Sequence, residues 1–412
     1  MLEKHYPMNY ASKYSLQWYQ LKNAGLKSIK LIDIELTERC NNRCIHCYIN
    51  QPEKAPHLQT RESSTEAVKA ILRQAVNLGC LDVRFTGGEP LLRKDFPELY
   101  QFARRLGLRV ILFTNARLIT RDLVTLFAKM PPGKPVSVSV YGMQASSYDA
   151  VAAVRGAFDE FWHGIQLLQK YKVPFVVKSS LLPQIREELP EMEAFAKTLP
   201  YMDHKPAYVM NFDLRARRDD EPKNRFIKRL RISPEETLKM LSQEPEKYIR
   251  EMRQFASKFI GPPGDRLFTC GAGLGTCVDA YGKAQMCMLL RHPDTVYPLD
   301  PDLHQANHPE SDLAPLAYAL KVFFPQVREL RATNPEYLKR CAVCFLKGLC
   351  EQCPAKSWEE HGTLDTPVEY LCEVAHTEAR YLGLLDEWEK SWELPEKVWR
   401  ARVTDFTQPT EM

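Results

Sequence analysis

The sequence has no long apolar run. Nothing in it approaches the roughly 18 consecutive residues that cross a bilayer, and the opening stretch from Met1 to Pro7 lacks the apolar core of an export signal. Both absences predict a cytoplasmic chain with no membrane partner. Charge of one sign is also scarce. Lys and Arg total 56 against 52 Asp and Glu, a surplus of +4, and a nucleic-acid binder would carry a larger and more clustered one. Internal repeats and low-complexity tracts are lacking, which excludes a solenoid.

Cysteine is plentiful. Twelve cysteines in a chain without an export signal point to metal rather than to disulfides, and to a reducing compartment. A 44% hydrophobic fraction over 412 residues suits a large core and two or three domains.

From Leu31 strand-like and helical patterns alternate. Strands are predicted at 31–36, 81–86, 108–113, 136–141, 174–181 and 205–211. Helices are predicted over about 64–78, 96–106, 121–130, 158–171 and 188–198. Such a series is an α/β pattern with a parallel sheet, open or closed into a barrel. In either form ligands sit at the carboxyl ends of the strands. Along 136–141, Val136, Val138 and Val140 face one way and Ser137, Ser139 and Tyr141 the other, which suggests an inner face polar enough for a ligand.

The first strand runs into Cys40, Cys44 and Cys47, spaced C-x3-C-x2-C. Three close thiolates would hold three corners of a four-iron cluster and leave one iron open to a small amine–carboxylate chelator. Zinc is the rival, since C-x2-C suits it too. The second strand runs into Phe85-Thr86-Gly87-Gly88-Glu89-Pro90. With both motifs in this order, the sequence resembles the radical S-adenosylmethionine (radical SAM) enzymes. Its later cysteines resemble their SPASM extension, which carries two auxiliary clusters.

The resemblance implies a (β/α)6 partial TIM barrel with a small C-terminal cysteine-rich SPASM domain. It implies reductive cleavage of S-adenosylmethionine and hydrogen abstraction by the resulting radical. His46 and Tyr48 would lie near the adenine. The carbonyls of Gly87 and Gly88, with Glu89, would receive the methionine ammonium, the glycines letting the backbone approach without a Cβ, and Pro90 would fix the turn. Asn115 and Ser137 are further candidate contacts, and Ser139 would lie near the ribose or carboxylate. Thr114-Asn115-Ala116 departs from the usual Thr-Asn-Gly.

Position by position, the resemblance gives one auxiliary cluster to Cys270, Cys277, Cys287 and Cys353. It gives the other to Cys341, Cys344, Cys350 and Cys372. With the first triad this uses eleven of the twelve cysteines and leaves Cys80 a plain buried thiol. The Cys350–Cys353 spacing is one residue shorter than the pattern. The implied cofactors are therefore three [4Fe-4S] clusters and S-adenosylmethionine, with a flavodoxin or ferredoxin as one-electron reductant. Oxygen-labile clusters suit an anaerobe or facultative anaerobe.

The expected organisation is an N-terminal segment over 1–30, a radical SAM core over 31–213, a bridge over 214–268, the SPASM region over 269–375 and a helical tail over 376–412. The basic run of the bridge is read as a solvated face, with a docking surface as the alternative. The expected substrate is a peptide or protein to be oxidatively modified. With 39 residues before Cys40, a leader peptide is expected to need a separate recognition protein or another surface. The alternatives are oxidation or decarboxylation of a small molecule such as a tetrapyrrole precursor, and a non-catalytic electron-transfer protein or scaffold. Lys178, Tyr208 and Asp213 are the candidates for substrate acid–base work.

Overall fold

A computed structural model describes residues 29–202, 206–209 and 212–408. The segment expected over 1–30 therefore lies outside the described residues, save its last two. The chain divides into two compact units. One comprises Met1–Val209, Ala272–Met288 and Pro293–Pro325; the other comprises Met210–Gly271, Leu289–His292 and Gln326–Met412.

The first unit is built on strands β1 (Leu31–Thr37), β2 (Asp82–Gly87), β3 (Arg109–Thr114), β4 (Val136–Val140), β5 (Phe175–Ser180) and β6 (Ala207–Val209). They pair in parallel in chain order, as right-handed βαβ crossovers dictate. Helices α1 (Thr65–Asn77), α2 (Phe96–Arg105), α3 (Arg121–Lys129), α4 (Ala145–Ala152), α5 (Ala157–Lys170) and α6 (Leu189–Lys197) fill the connections. The sequence pattern missed only α4 among these.

Helix α1 shows why the elements form. The Ser64 hydroxyl accepts from Ala67 N at 3.2 Å, satisfying an otherwise orphaned donor. Val68, Ile71, Leu72 and Val76 recur at helical spacing and are buried, each worth about 1.5–3 kcal/mol. Gly79, at φ +82°, ends the helix where a side chain would be strained.

One face of the sheet is apolar: Ile32, Ile34, Val83, Phe85, Val110, Leu112, Val136, Val138 and Val140 are all at most 1% exposed. The other carries Asp33, Arg84, Phe113, Ser139 and Lys178, matched by the register.

The sheet also extends past β1. Strand β7 (Thr276–Val278) pairs in parallel with β1, opposite Ile32 to Ile34. Strands β8 (Lys283–Gln285) and β9 (Val296–Pro298) add to it antiparallel. The expected hairpin turn falls between β7 and β8, with Gly282 at φ +77° and the Asp279 carboxylate accepting from Tyr281 N and Lys283 N. The hairpin covers what would be an open edge at β1.

The second unit is helical: α7 (Glu221–Leu230), α8 (Pro234–Leu241), α9 (Pro245–Phe259), α10 (Pro354–His361), α11 (Glu369–Tyr381) and α12 (Glu396–Thr407). Helix α8 starts on Ser233, whose hydroxyl accepts from Glu236 N. Tyr248, Phe345, Leu346, Ala379, Leu384 and Trp399 form its apolar centre.

The basic run keeps part of the solvated face expected of it, with Arg218, Arg225, Lys228 and Arg229 exposed, while Arg215 and Arg231 are drawn into the fold. Arg215 is buried and paired with Asp219 at 2.8 Å. Arg231 and Lys228 both pair with Glu360, at 2.6 and 2.7 Å, and Arg218 donates to the carbonyls of Trp358 and Glu359. Burial makes Arg215 and Arg231 structural, because an unpaired buried charge is costly. Among the described residues, no helix is long and apolar enough to cross a membrane.

Candidate functional site

At the carboxyl ends of β1 to β3, three loops lock together. A short parallel ladder, Arg39–Cys40 against Gln51–Pro52, forms the stem of the cysteine loop. Cys40 and Cys44 are buried and Cys47 is half-buried. Asn42 N and Asn50 N donate to the sulfurs of Cys40 and Cys47, each at 3.4 Å, and Asn115 Nδ2 approaches Cys40 Sγ at 3.8 Å. Arg117 holds the loop from outside, donating to Asn41 O and to Asn42 Oδ1 at 2.5 and 2.6 Å.

Gly87 and Gly88 are glycines for a reason the sequence did not show. A Cβ on Gly87 would lie 2.2 Å from Thr37 O, and one on Gly88 2.3 Å from Arg39 O. The turn packs against the stem of the cysteine loop, and Gly88 N and Glu89 N donate to Thr37 O and Arg39 O at 2.7 and 2.9 Å. Glu89 is fully buried. Its carboxylate accepts from Leu91 N, Thr114 Oγ1 and Asn115 N at 3.1, 2.9 and 2.8 Å. Burial pushes its pKa up to about 7 against the pull of these donors. Pro90 is buried and opens the turn that follows.

Ala116, where the related pattern has glycine, sits at φ +64°, a left-handed conformation a side chain tolerates poorly. Gly164 of α5 lies so close that a Cβ there would meet Ala116 O at 2.1 Å.

His46 Nε2 lies 3.0 Å from Ser180 Oγ at the end of β5, and its ring meets Tyr141 edge-on at 5.3 Å. Burial, then the neighbouring Cys44 and Cys47, push the Tyr141 hydroxyl well above its ordinary range. Tyr48 and Ser139 are half-buried and Ser137 is buried. His46, Asn115 and Glu89 are therefore tied to the loops that carry the thiols. Sequence reasoning missed Arg117 and Tyr148. Nothing local marks Tyr148; only the fold brings its hydroxyl within 3.4 Å of Asn115 O.

The thiols fit an iron–sulfur cluster. Burial first, and then Cys44, Glu89 and Cys47, push the Cys40 thiol well above its usual range, so thiolates here need a cation to stabilise them. Backbone donors already aim at two of the sulfurs. Among the described residues, no three His, Cys, Asp or Glu side chains converge tightly enough for a single metal ion. A four-iron cluster asks for less convergence, since each thiolate binds its own iron. Cys80 stands apart, buried at the base of β2 with its pKa pushed up to about 12, chiefly by burial.

In the second unit, Cys341, Cys344, Cys350 and Cys372 line one pocket with Arg340, Lys347, Gln352, His376 and Trp392. Donors surround these sulfurs too. Ser391 Oγ is 2.9 Å from Cys344 Sγ, Gln352 N donates to Cys350 Sγ at 3.4 Å, and Arg340 Nη2 approaches Cys372 Sγ at 3.7 Å. Cys270, which is exposed, and half-buried Cys353 also belong to this unit. Buried Cys277 in β7 and half-buried Cys287 belong to the first.

Lys178 faces the inner side of the sheet with its Nζ 3.1 Å from the Phe113 ring centroid. Tyr208 falls in β6 opposite Ser179, but its side chain lies outside the described part. Asp213 belongs to the second unit and pairs with buried Lys356. Next to them Glu359 is 1% exposed, its pKa raised by burial and by Asp213.

The Radical SAM superfamily model matches residues 34–197. An AdoMet-dependent heme synthase of Methanosarcina barkeri is 28% identical over 81% of this chain and 93% of its own length. A PqqA peptide cyclase of Bradyrhizobium diazoefficiens is 30% identical over 39% of this chain and 41% of its own. Among solved structures, Streptococcus suis SuiB bound to S-adenosylmethionine superposes with a TM-score of 0.57, at 17% identity over 83% of this chain and 77% of that one. The matched span opens in β1 and ends in α6, and so takes in the cysteine loop, the Gly87–Pro90 turn and the sheet that carries them. Residues 34–197 accordingly match the Radical SAM superfamily, whose domain is the kind that uses a [4Fe-4S] cluster and S-adenosylmethionine, and the relatives that share this span are enzymes.

Proposed function

We propose that this enzyme oxidatively decarboxylates a propionate side chain of a tetrapyrrole. The observation that carries this reading is the span of the likeness. Similarity to the heme synthase runs over 93% of that relative, whereas similarity to the peptide cyclase stops at about two-fifths of either chain. Peptide modification, the first expectation from the sequence, remains the second reading on the strength of that shared part.

Cys40, Cys44 and Cys47 would hold the first cluster. When bound, the cluster and S-adenosylmethionine supply a 5′-deoxyadenosyl radical that takes one hydrogen atom from the substrate. The chain's own residues bind and orient. Gly87, Gly88 and Glu89 present the turn that would receive the methionine ammonium. Pro90 and Asn115 fix its neighbours, and His46, Tyr48, Ser137 and Ser139 line the side where adenosine would lie.

Loss of a hydrogen atom and of carbon dioxide from a propionate leaves a vinyl group and one electron. That electron needs an acceptor, and Cys341, Cys344, Cys350 and Cys372 would hold a group able to take it. Cys270, Cys277, Cys287 and Cys353 are assigned a third cluster on the sequence pattern alone. A flavodoxin or ferredoxin would supply the initiating electron.

The test uses protein reconstituted anaerobically with iron and sulfide and given S-adenosylmethionine and reductant. Iron coproporphyrin III is added, and 5′-deoxyadenosine and the porphyrin mass are followed together. The expected product is lighter by one carbon dioxide and two hydrogens. If 5′-deoxyadenosine instead rises above background only with the non-dialysable fraction of a host extract, the peptide reading replaces this one.

A further inference from the structure

The inner face of the sheet brings two cations to one aromatic ring. Register places Asp33 beside Arg84, and the sequence of pairings β2–β3–β4–β5 brings Phe113, Ser139 and Lys178 to the same face. Arg84 Nη1 lies 3.0 Å from Asp33 Oδ1, and the Arg84 guanidinium is 4.8 Å from the Phe113 ring centroid. Lys178 Nζ is on that same ring at 3.1 Å. Two cations thus share one aromatic ring; Asp33 pairs with Arg84, and buried Glu35 stands two residues on along the same face of β1.

Among the described residues, no carboxylate pairs with Lys178. Burial, and then the Arg84 charge, hold its pKa down to about 7. A side chain kept for packing alone would be cheaper as Met or Leu, because an unpaired buried cation is costly. A carboxylate arriving between the two cations would supply the missing charge through charge-assisted hydrogen bonds.

We propose that Lys178 and Arg84, with Phe113 between them, form a receptor for a carboxylate of the substrate on the inner face of the sheet. The proposal rests on the tetrapyrrole reading for the source of that carboxylate, though not for its chemistry. The carboxylate of S-adenosylmethionine is not the occupant. On the first-cluster reading it would chelate the open iron beside the cysteine loop, at the level of Ser180, which touches His46 of that loop. Lys178 lies two residues deeper along β5, about 6.6 Å at a strand's rise. The carboxylate held is one the reaction leaves in place. One that departed as neutral carbon dioxide would lose its ion pair on the way, so ground-state binding would oppose the step.

Holoprotein without reductant is labelled with an amine-directed reagent at about pH 8, where the Lys178 amine is largely neutral and nucleophilic. Peptide mass mapping then reads the labelling rate at Lys178. The probes are S-adenosylmethionine, iron coproporphyrin III, its tetramethyl ester and a glutamate-rich peptide. Iron coproporphyrin III is expected to slow the labelling about fivefold or more, and its ester and S-adenosylmethionine to leave it unchanged. By absorbance titration, Lys178→Met should weaken binding of iron coproporphyrin III about tenfold, and Lys178→Arg less than about threefold.

Labelling that no carboxylate slows, or that S-adenosylmethionine slows equally, overturns the receptor. So does a Lys178→Met protein of normal iron content and circular dichroism that binds as wild type. Protection by the acidic peptide alone keeps the receptor and sinks the tetrapyrrole source. Decarboxylation of the tetrapyrrole with Lys178 unprotected does the reverse.

Discussion

Gly88→Ala probes the joint between the two signature loops. Its Cβ would lie 2.3 Å from Arg39 O and 2.5 Å from Glu38 O, whereas ordinary contact begins near 3.4 Å. The turn must therefore retreat by about 1 Å, since both obstacles are backbone of the cysteine-loop stem and neither can swing aside. That retreat stretches two hydrogen bonds, Gly88 N to Thr37 O at 2.7 Å and Glu89 N to Arg39 O at 2.9 Å. Leaving two buried backbone pairs poorly satisfied costs about 2–6 kcal/mol. The loss should show as a lower denaturation midpoint in anaerobic urea unfolding of cluster-free protein, and as less iron retained at the first site after reconstitution. If Gly88→Ala unfolds within about 0.5 kcal/mol of wild type and retains full iron, the close approach of the two loops is wrong.

Four further outcomes follow from the geometry. Glu89 binds more protons folded than unfolded between its ordinary pKa of 4.5 and its folded value of about 7. Cluster-free protein should therefore lose about 3 kcal/mol as pH rises through that window, and Glu89→Gln should remove that part of the pH dependence in denaturant melts. Gly164→Ala should cost about 2–3 kcal/mol, seen in the same melts, because its Cβ would strike Ala116 O. Cys344→Ala should remove about four irons per chain while Cys80→Ala removes none, by iron analysis. Arg340 approaches Cys372 Sγ and stacks over Trp392 at 4.6 Å. Arg340→Gln should lower the midpoint potential of the cluster held there by on the order of 50 mV in an EPR-monitored titration, since a cation favours the more negative, reduced state.

The six core strands were legible because each carries its own two-residue period: the valines of β4 face the helices and its serines the interior. The helices were legible where a cap and an apolar stripe coincide, as at Ser64 and α1. The thiols of the first loop and the glycine turn were legible as motifs. The physical reason for the glycines was not, because the atoms they avoid belong to Thr37 and Arg39, some fifty residues earlier. Pairing of β7 with β1 was equally hidden, since a three-residue strand carries no signal naming its partner. Lys178 could be singled out by residue type, yet its neighbours Phe113 and Arg84 follow only from register across four strands. The basic run was legible as a solvated face except at Arg215 and Arg231, because composition shows charge and not the carboxylates, Asp219 and Glu360, that pair with these two.

The attachment of β7 to β1 also bears on how the protein is made. The edge of β1 is completed by residues about 245 positions later in the chain. At ribosomal rates of 5–20 residues per second, that edge waits roughly 12–50 s for its partner. Throughout that interval the strand leading into Cys40, Cys44 and Cys47 presents unpaired backbone, a template for wrong pairing. Chains truncated before Thr276 should keep that liability permanently and depend on chaperones for solubility. Delivery of iron and sulfur to the first loop is then best timed after release, when the sheet behind it is closed.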